Sequence, residues 1–244
     1  MIFIPGKERY DFEEGQVILI DKPLKWTSFD VVNKVRYLLR NQFGLKKIKV
    51  GHAGTLDPLA TGLLIICTGK FTKQIESLQA SDKEYVGTFM LGATTPSFDR
   101  ETEVDQTYST DGITKEKVVD VLKSFVGEQD QIPPIFSAKQ VGGQRAYVAA
   151  RKGKDVELKP SRINIESIDL LDCSLPLVTI RIKCSKGTYI RALARDFGER
   201  LGSGAYLHDL RRMSSGDFSI NEAIDILEFE KIIKNLKPLT EQNV

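Results

Sequence analysis

The densest collection of reactive groups lies in Gly51-His52-Ala53-Gly54-Thr55-Leu56-Asp57-Pro58-Leu59-Ala60-Thr61-Gly62. Its glycines permit tight turns and close approach of another backbone. Pro58 keeps Asp57 out of the helical region, so the carboxylate is presented from extended backbone. A carboxylate held in this way can act as nucleophile or base without a histidine partner. Asp-Pro is also a common plain turn, and the loop taken by itself leaves both uses open.

Other chemistries lack material. Two histidines, His52 and His208, are too few for a structural zinc site or a histidine-based triad. Three cysteines, Cys67, Cys173 and Cys184, lie far apart with no CxxC pair. They read as small apolar core residues in a reducing compartment. The longest apolar run, Leu63–Cys67, falls far short of the roughly 20 residues that span a bilayer. The opening Met1-Ile2-Phe3-Ile4-Pro5 meets charge at once and lacks signal-peptide architecture. A soluble, cytoplasmic protein without a membrane partner is expected. With 244 residues, 41% hydrophobic and 28% charged, the composition is globular and excludes wholesale disorder, collagen or coiled coil.

The net charge of +2 conceals segregation. Asn33–Lys49 carries six bases and no acid; Gln131–Asn164 carries seven bases against Asp155 and Glu157. Arg181–Met213 carries eight bases against Asp196, Glu199 and Asp209. Tyr37, Phe136, Tyr147 and Tyr189 are interleaved with these stretches. Separated basic segments with aromatics fit a polyanion-binding face, though ordinary solvated faces look similar.

The elements that must position these groups follow from periodicity. Gln16–Asp21 and Leu63–Cys67 are continuous apolar runs, as expected of fully buried strands. Thr27-Ser28 offers an N-cap to a helix whose Val31, Val32, Val35, Leu38 and Leu39 form one stripe. Ile48–Val50 and Tyr85–Leu91 read as strands, Thr94–Asp111 as a polar loop and Thr114–Phe125 as a helix. Arg162–Leu171 and Leu177–Ser185 alternate like paired strands, and Thr188–Leu201 is helical with Gly202 as its cap. The predicted fold class is α+β, a mixed but mainly antiparallel sheet flanked by helices. The expected organisation is a single catalytic domain over 1–244, with an excursion at about 131–160.

Several segments together resemble the bacterial tRNA pseudouridine synthase B family. They are Gly51–Leu64, Gly15–Ser28, Lys83-Glu84-Tyr85 with Leu91-Gly92 and Asp99, Gln131–Pro134 with Ser137-Ala138 and Arg145–Tyr147, Cys184–Arg191, and Leu210-Arg211-Arg212 with Gly216. The resemblance covers nearly the whole chain. It implies a pseudouridine-synthase-like fold and isomerisation of uridine 55 in the T arm of tRNA, with the base flipped out of its loop. No metal, nucleotide or other cofactor is implied. The expected partner is tRNA through its T stem-loop, bound by a monomer with no obligatory protein partner.

The resemblance also implies roles. Asp57 matches the catalytic aspartate, Tyr85 the tyrosine that stacks on the target base, and Arg191 the arginine that pairs with the aspartate. Leu210 matches an apolar pocket residue and His52 a histidine near the RNA. Residues 131–160 match an RNA-gripping thumb. The expected RNA-binding set is His52, Lys139, Arg145, Tyr147, Arg162, Leu210 and Arg211.

Physical chemistry agrees with these roles. An arginine keeps a partly dry carboxylate ionised, and an aromatic face suits an unstacked uracil. The chain departs from the family pattern at Lys25, where glycine is usual, and at Gln140, where lysine is usual. Only Asp217–Val244 follow the last motif, so no separate C-terminal RNA-binding domain is expected. A non-catalytic RNA-binding or RNA-folding protein would use the same basic face, but it would not need Asp57, Tyr85 and Arg191 together. A glycoside hydrolase would need a paired general acid, which the loop does not offer.

Overall fold

Continuous apolar runs become strands buried on both faces, and these form the centre of the fold. The structure is a computed structural model; it describes residues 2–6, 10–136 and 158–236, with backbone alone at 140–141 and 144–145. In chain order the strands are β1 (Val17–Lys22), β2 (Val50–Ala53), β3 (Ala60–Thr68), β4 (Lys83–Leu91), β5 (Ala93–Thr94), β6 (Gln106–Thr107) and β7 (Gly127–Gln131). They continue with β8 (Gln140–Val141), β9 (Gln144–Arg145), β10 (Ser161–Ser174), β11 (Leu177–Cys184), β12 (Ala205–Ser215), β13 (Phe218–Ser219) and β14 (Ile224–Asp225). The α-helices are α1 (Ser28–Phe43), α2 (Ile75–Gln79), α3 (Lys115–Lys123), α4 (Ile190–Leu201) and α5 (Ile226–Asn235). The chain forms two compact units, Met1–Lys83 with Arg211–Val244, and Glu84–Leu210.

In the first unit β1 pairs antiparallel with β3, in register Val17↔Cys67 through Lys22↔Gly62. Strand β2 lies antiparallel on β3, and β14 parallel on β1. Alternate residues face opposite sides. Ile18, Ile20, Leu64 and Ile66 join Val31, Val35 and Leu39 of α1 and Phe229 of α5. Val17, Leu19, Leu63, Ile65 and Cys67 meet Phe71, Ile75 and Phe218 on the other side. Burial of both faces explains why these strands read as unbroken apolar runs. Burial also pushes the Cys67 thiol up to about 11, in keeping with an inert core cysteine. Helix α1 starts with a capping box, Thr27 accepting from Asp30 N and Asp30 from Thr27 N.

In the second unit β7, β10 and β11 form an antiparallel ladder, with β4 on the far side of β11. Strand β4 alternates strictly, with Lys83, Tyr85, Gly87, Phe89 and Leu91 on its buried side. Phe89 packs on Phe197 of α4 with ring centroids 5.5 Å apart. Helix α4 ends at Gly202, whose φ of 71° is the left-handed cap the sequence predicts. The mainly antiparallel sheet flanked by helices agrees with the expected fold class. Strands β8 and β9 pair with each other inside the expected excursion.

Candidate active site

The loop between β2 and β3 is fastened at four points around Asp57. The Ser28 hydroxyl, at the start of α1, accepts from Leu56 N at 2.8 Å and donates to Leu56 O at 3.0 Å. Lys25 N donates to Pro58 O at 2.8 Å, and Ala60 N to Asp57 O at 3.0 Å. Arg212 of β12 donates from Nε to Leu63 O at 2.7 Å and from Nη2 to Gly54 O at 3.1 Å. Asp57 itself is half-buried. The Lys25 turn has φ 67°, so this lysine adopts the conformation that the family's usual glycine would favour.

Two buried cations border this loop. Lys22, at the end of β1, is fully buried and donates to Pro23 O at 3.0 Å and Trp26 O at 2.6 Å. Burial pulls its ammonium down to about 8, opposed by the charge of Asp57 and assisted by that of Arg212. Arg212 is likewise buried. Neither was assigned a role from the sequence, although Arg212 stands in a segment that carries the resemblance. Lys22 ends an apolar run, which was the available hint; nothing local marks Arg212 as buried.

His52 lies half-buried on β2, and its Nδ1 is buried without a hydrogen-bond partner among the described residues. Burial, and then the charge of Arg212, lower its pKa and so favour the neutral imidazole. Arg211 forms a two-pronged pair with Asp21, at 3.0 and 2.6 Å. That carboxylate already occupies the guanidinium expected to meet RNA. A concavity of about 310 Å³ in the same unit is bordered by Lys47, Lys49, Lys70, Lys73, Glu13 and Thr72. It joins part of the basic stretch seen in the sequence to two further lysines.

The second unit carries Tyr85, Arg191, Leu210 and Arg162. Tyr85 is 9% exposed on β4. A methyl group added at Gly87, next along that face, would contact Leu210, Ile190 and Leu207 at 3.5–3.6 Å. Arg191, in the first turn of α4, lies 3.6 Å from Asp99 Oδ2 through Nε. It donates from Nη2 to Phe136 O at 2.9 Å and from Nη1 to Ser97 O at 3.4 Å. Asp99 is held by Ser97 Oγ and Glu101 N at 2.6 and 2.9 Å. Arg162 is exposed and pairs with Glu128 at 2.9 Å and Asp130 at 3.6 Å. Lys139 and Tyr147 lie outside the described residues, and only the backbone of Arg145 lies within them. Among the described residues no three of His, Cys, Asp and Glu converge as a metal site would require.

Residues 40–190 match the family model described as TruB family pseudouridylate synthase (N terminal domain). A protein of Phocaeicola vulgatus named tRNA pseudouridine synthase B is 59% identical, over 90% of this chain and 93% of its own length. A protein of the same name from Clostridium kluyveri is 43% identical, over 91% of this chain and 75% of its own. Among solved structures, a chain of a Cbf5-Nop10-Gar1 complex is similar at 28% identity and TM-score 0.70, over 94% of this chain and 58% of that one. A chain from an H/ACA RNP bound to a substrate RNA containing 2'-deoxyuridine is similar at 26% identity and TM-score 0.66, over 93% and 60%. This chain therefore spans less than two thirds of those two solved chains.

Proposed function

The chain belongs to the TruB family of pseudouridylate synthases, and from that premise we propose that it isomerises uridine 55 in the T arm of tRNA, with Asp57 starting the reaction. The chemistry of the class is isomerisation. The uracil N1–ribose C1′ bond breaks, the base turns, and a C5–C1′ bond forms while a proton leaves C5 and N1 gains one. Nothing is oxidised and no water is consumed.

The observation that carries this reading is the mounting of Asp57. Asp57 is half-buried, and the neighbouring residues are tied to α1 through Ser28, to the Lys25 turn and to β12 through Arg212. Preorganised geometry of this kind is what an attacking group or base requires. The charge of the buried Lys22 interacts favourably with that of Asp57. Asp57 then either attacks the ribose or the base, or takes a ribose proton to give a glycal.

The target base must leave its stack before the glycosidic bond can be reached. In this reading Tyr85 supplies the aromatic face, Leu210 an apolar wall and Arg191 a positive charge. His52, Lys139, Arg145, Tyr147, Arg162 and Arg211 contact the RNA. The lysine-bordered concavity suits phosphates of the T stem.

The test is incubation of the protein with unmodified tRNA, followed by mapping of pseudouridine, for the wild type and Asp57→Asn. The asparagine keeps the shape and removes the charge. Modification at uridine 55 by the wild type is expected, together with none by the variant and RNA affinity within about twofold. Wild-type turnover by the variant overturns the assignment of Asp57. Modification at another uridine overturns the assignment of the substrate position.

A further inference from the structure

We propose that Arg212 is a positioning residue for the reaction: its buried guanidinium sets the spacing between Gly54 and Leu63, and so fixes the frame on which Asp57 is presented. This rests on the reading of Asp57 given above.

The geometry is specific. The two carbonyls that accept from Arg212 lie on either side of Asp57, three residues before it and six after it. Nε reaches Leu63 O at 2.7 Å and Nη2 reaches Gly54 O at 3.1 Å. A planar fork with separated donors can hold both at once, which a lysine ammonium on one flexible stem does not reproduce. The loop's glycines fit the same arginine. A methyl group at Gly62 would come within 2.4 Å of Arg212 O and 2.7 Å of Arg212 N. One at Gly54 would come within 3.3 Å of Arg212 Nη1. Both glycines have positive φ, 93° at Gly54 and 102° at Gly62. The loop is thus built to lie against Arg212, its backbone at one end and its side chain at the other.

A purely structural role would be served more cheaply. Burying a guanidinium carries a desolvation penalty, and an apolar side chain of similar volume is often the more stable choice in a core. What the guanidinium adds is fixed spacing together with a positive charge beside the loop. The same charge acts on its neighbours, the buried Lys22 and the half-buried His52.

The experiment uses the full chain with Arg212→Lys and Gly54→Ala. It measures single-turnover pseudouridine formation on a T stem-loop RNA, the Kd for that RNA, and the folded fraction by circular dichroism. Arg212→Lys keeps the charge and loses the fork. The expected result is a folded protein with Kd within about twofold and a single-turnover rate down roughly a hundredfold, as for a small misplacement of a catalytic group. Gly54→Ala leaves Arg212 in place but strains the backbone at φ 93° and brings a methyl within 3.3 Å of Nη1; a rate loss of about tenfold at unchanged Kd is expected, again through displacement of the reacting group. A folded Arg212→Lys protein with the wild-type rate overturns the proposal, as does a fall in rate matched by a fall in affinity. Unfolded Arg212→Lys combined with full activity in Gly54→Ala overturns it too. Asp57→Asn run beside them separates the two ideas: if it stays active, the reading of Asp57 fails. If it is dead while Arg212→Lys is fully active, only the role of Arg212 fails.

Discussion

The Ser28 hydroxyl satisfies both backbone groups of Leu56, accepting from N at 2.8 Å and donating to O at 3.0 Å. The two residues are 2% and 3% exposed, so water cannot substitute. One side chain at the start of α1 thereby fixes the residue immediately before Asp57. The hydrophobic packing of α1 against β1 and β3 is in this way passed on to the loop that carries the chemistry.

Ser28→Ala should therefore cost stability and activity together. It leaves a buried N–H and a buried carbonyl unpaired, a loss of about 1–3 kcal/mol. Urea unfolding should show the loss as a lower midpoint at unchanged slope. The single-turnover rate should fall more than RNA affinity does. Unchanged stability would mean that the Leu56 backbone finds other partners and that Ser28 is dispensable to the loop.

Lys25 tests the other anchor. Its φ of 67° is costly for a side-chain-bearing residue, by about 1–2 kcal/mol. Its N–H nevertheless holds Pro58 O at 2.8 Å. Lys25→Gly relieves the strain and keeps that bond, while the freer unfolded chain takes back about 0.5–1 kcal/mol. A small net gain is expected, visible as a rise in Tm of about 1–4 °C with activity retained. A lower Tm would show that the lysine side chain contributes more than its backbone conformation costs.

The sequence made much of this legible, and the reasons differ from residue to residue. β1 and β3 were visible because two-sided burial leaves an apolar run. α1 was visible through its Thr27 cap and valine–leucine stripe, and Asp57 through the Asp-Pro step among glycines. β12 was not visible, because its Ala205–Ser215 stretch mixes His208, Asp209, Arg211 and Arg212 with apolar residues. Charged residues ordinarily mark solvent, and only distant partners make Arg212 an interior residue. Leu63 O lies 149 positions away in sequence. Lys22 at least ends an apolar run, but its acceptors, Pro23 O and Trp26 O, are backbone groups that carry no sequence signal. Two partners of Arg191, Ser97 O and Phe136 O, were hidden for the same reason, while Asp99 was visible as a matching residue but not as the partner of Arg191.

Lys22 leads to a pH prediction. Its pKa is lowered from 10.5 to about 8 in the folded protein, chiefly by burial. Between about pH 8 and 10.5 the unfolded chain keeps this proton and the folded one has lost it, so in that window stability rises with pH. Below about 8 both states are protonated and the cost of the buried charge is constant. The comparison protein is Lys22→Met, whose other titrations cancel in the difference. The stability of the wild type minus that of the variant should climb from pH 8 towards 10.5 and be flat below 8. Asp57→Asn should extend the climb to lower pH, because the Asp57 charge raises the Lys22 pKa. A flat difference across the whole range would mean that Lys22 titrates as a solvated lysine does.

The two possible duties of Tyr85 can be separated by removing its parts one at a time. The residue is 9% exposed on the buried side of β4, two positions before Gly87, whose side of the strand faces Ile190, Leu207 and Leu210. A ring in such a setting can stack on an extruded uracil, a contact worth about 1–3 kcal/mol per base. Its hydroxyl can also carry the proton that must leave C5 before the product is complete. Tyr85→Phe keeps the ring and removes the hydroxyl, whereas Tyr85→Leu removes both. The phenylalanine variant should bind the T stem-loop with the wild-type Kd but stall after the glycosidic bond has broken, giving consumption of uridine without pseudouridine in a single-turnover assay. The leucine variant should lose affinity by about tenfold, in line with a lost stacking contact, and lose turnover as well. If the phenylalanine variant forms product at the wild-type rate, the hydroxyl is not the proton carrier. Tyr85 is then a stacking platform alone, and the base that takes the C5 proton lies elsewhere in the site.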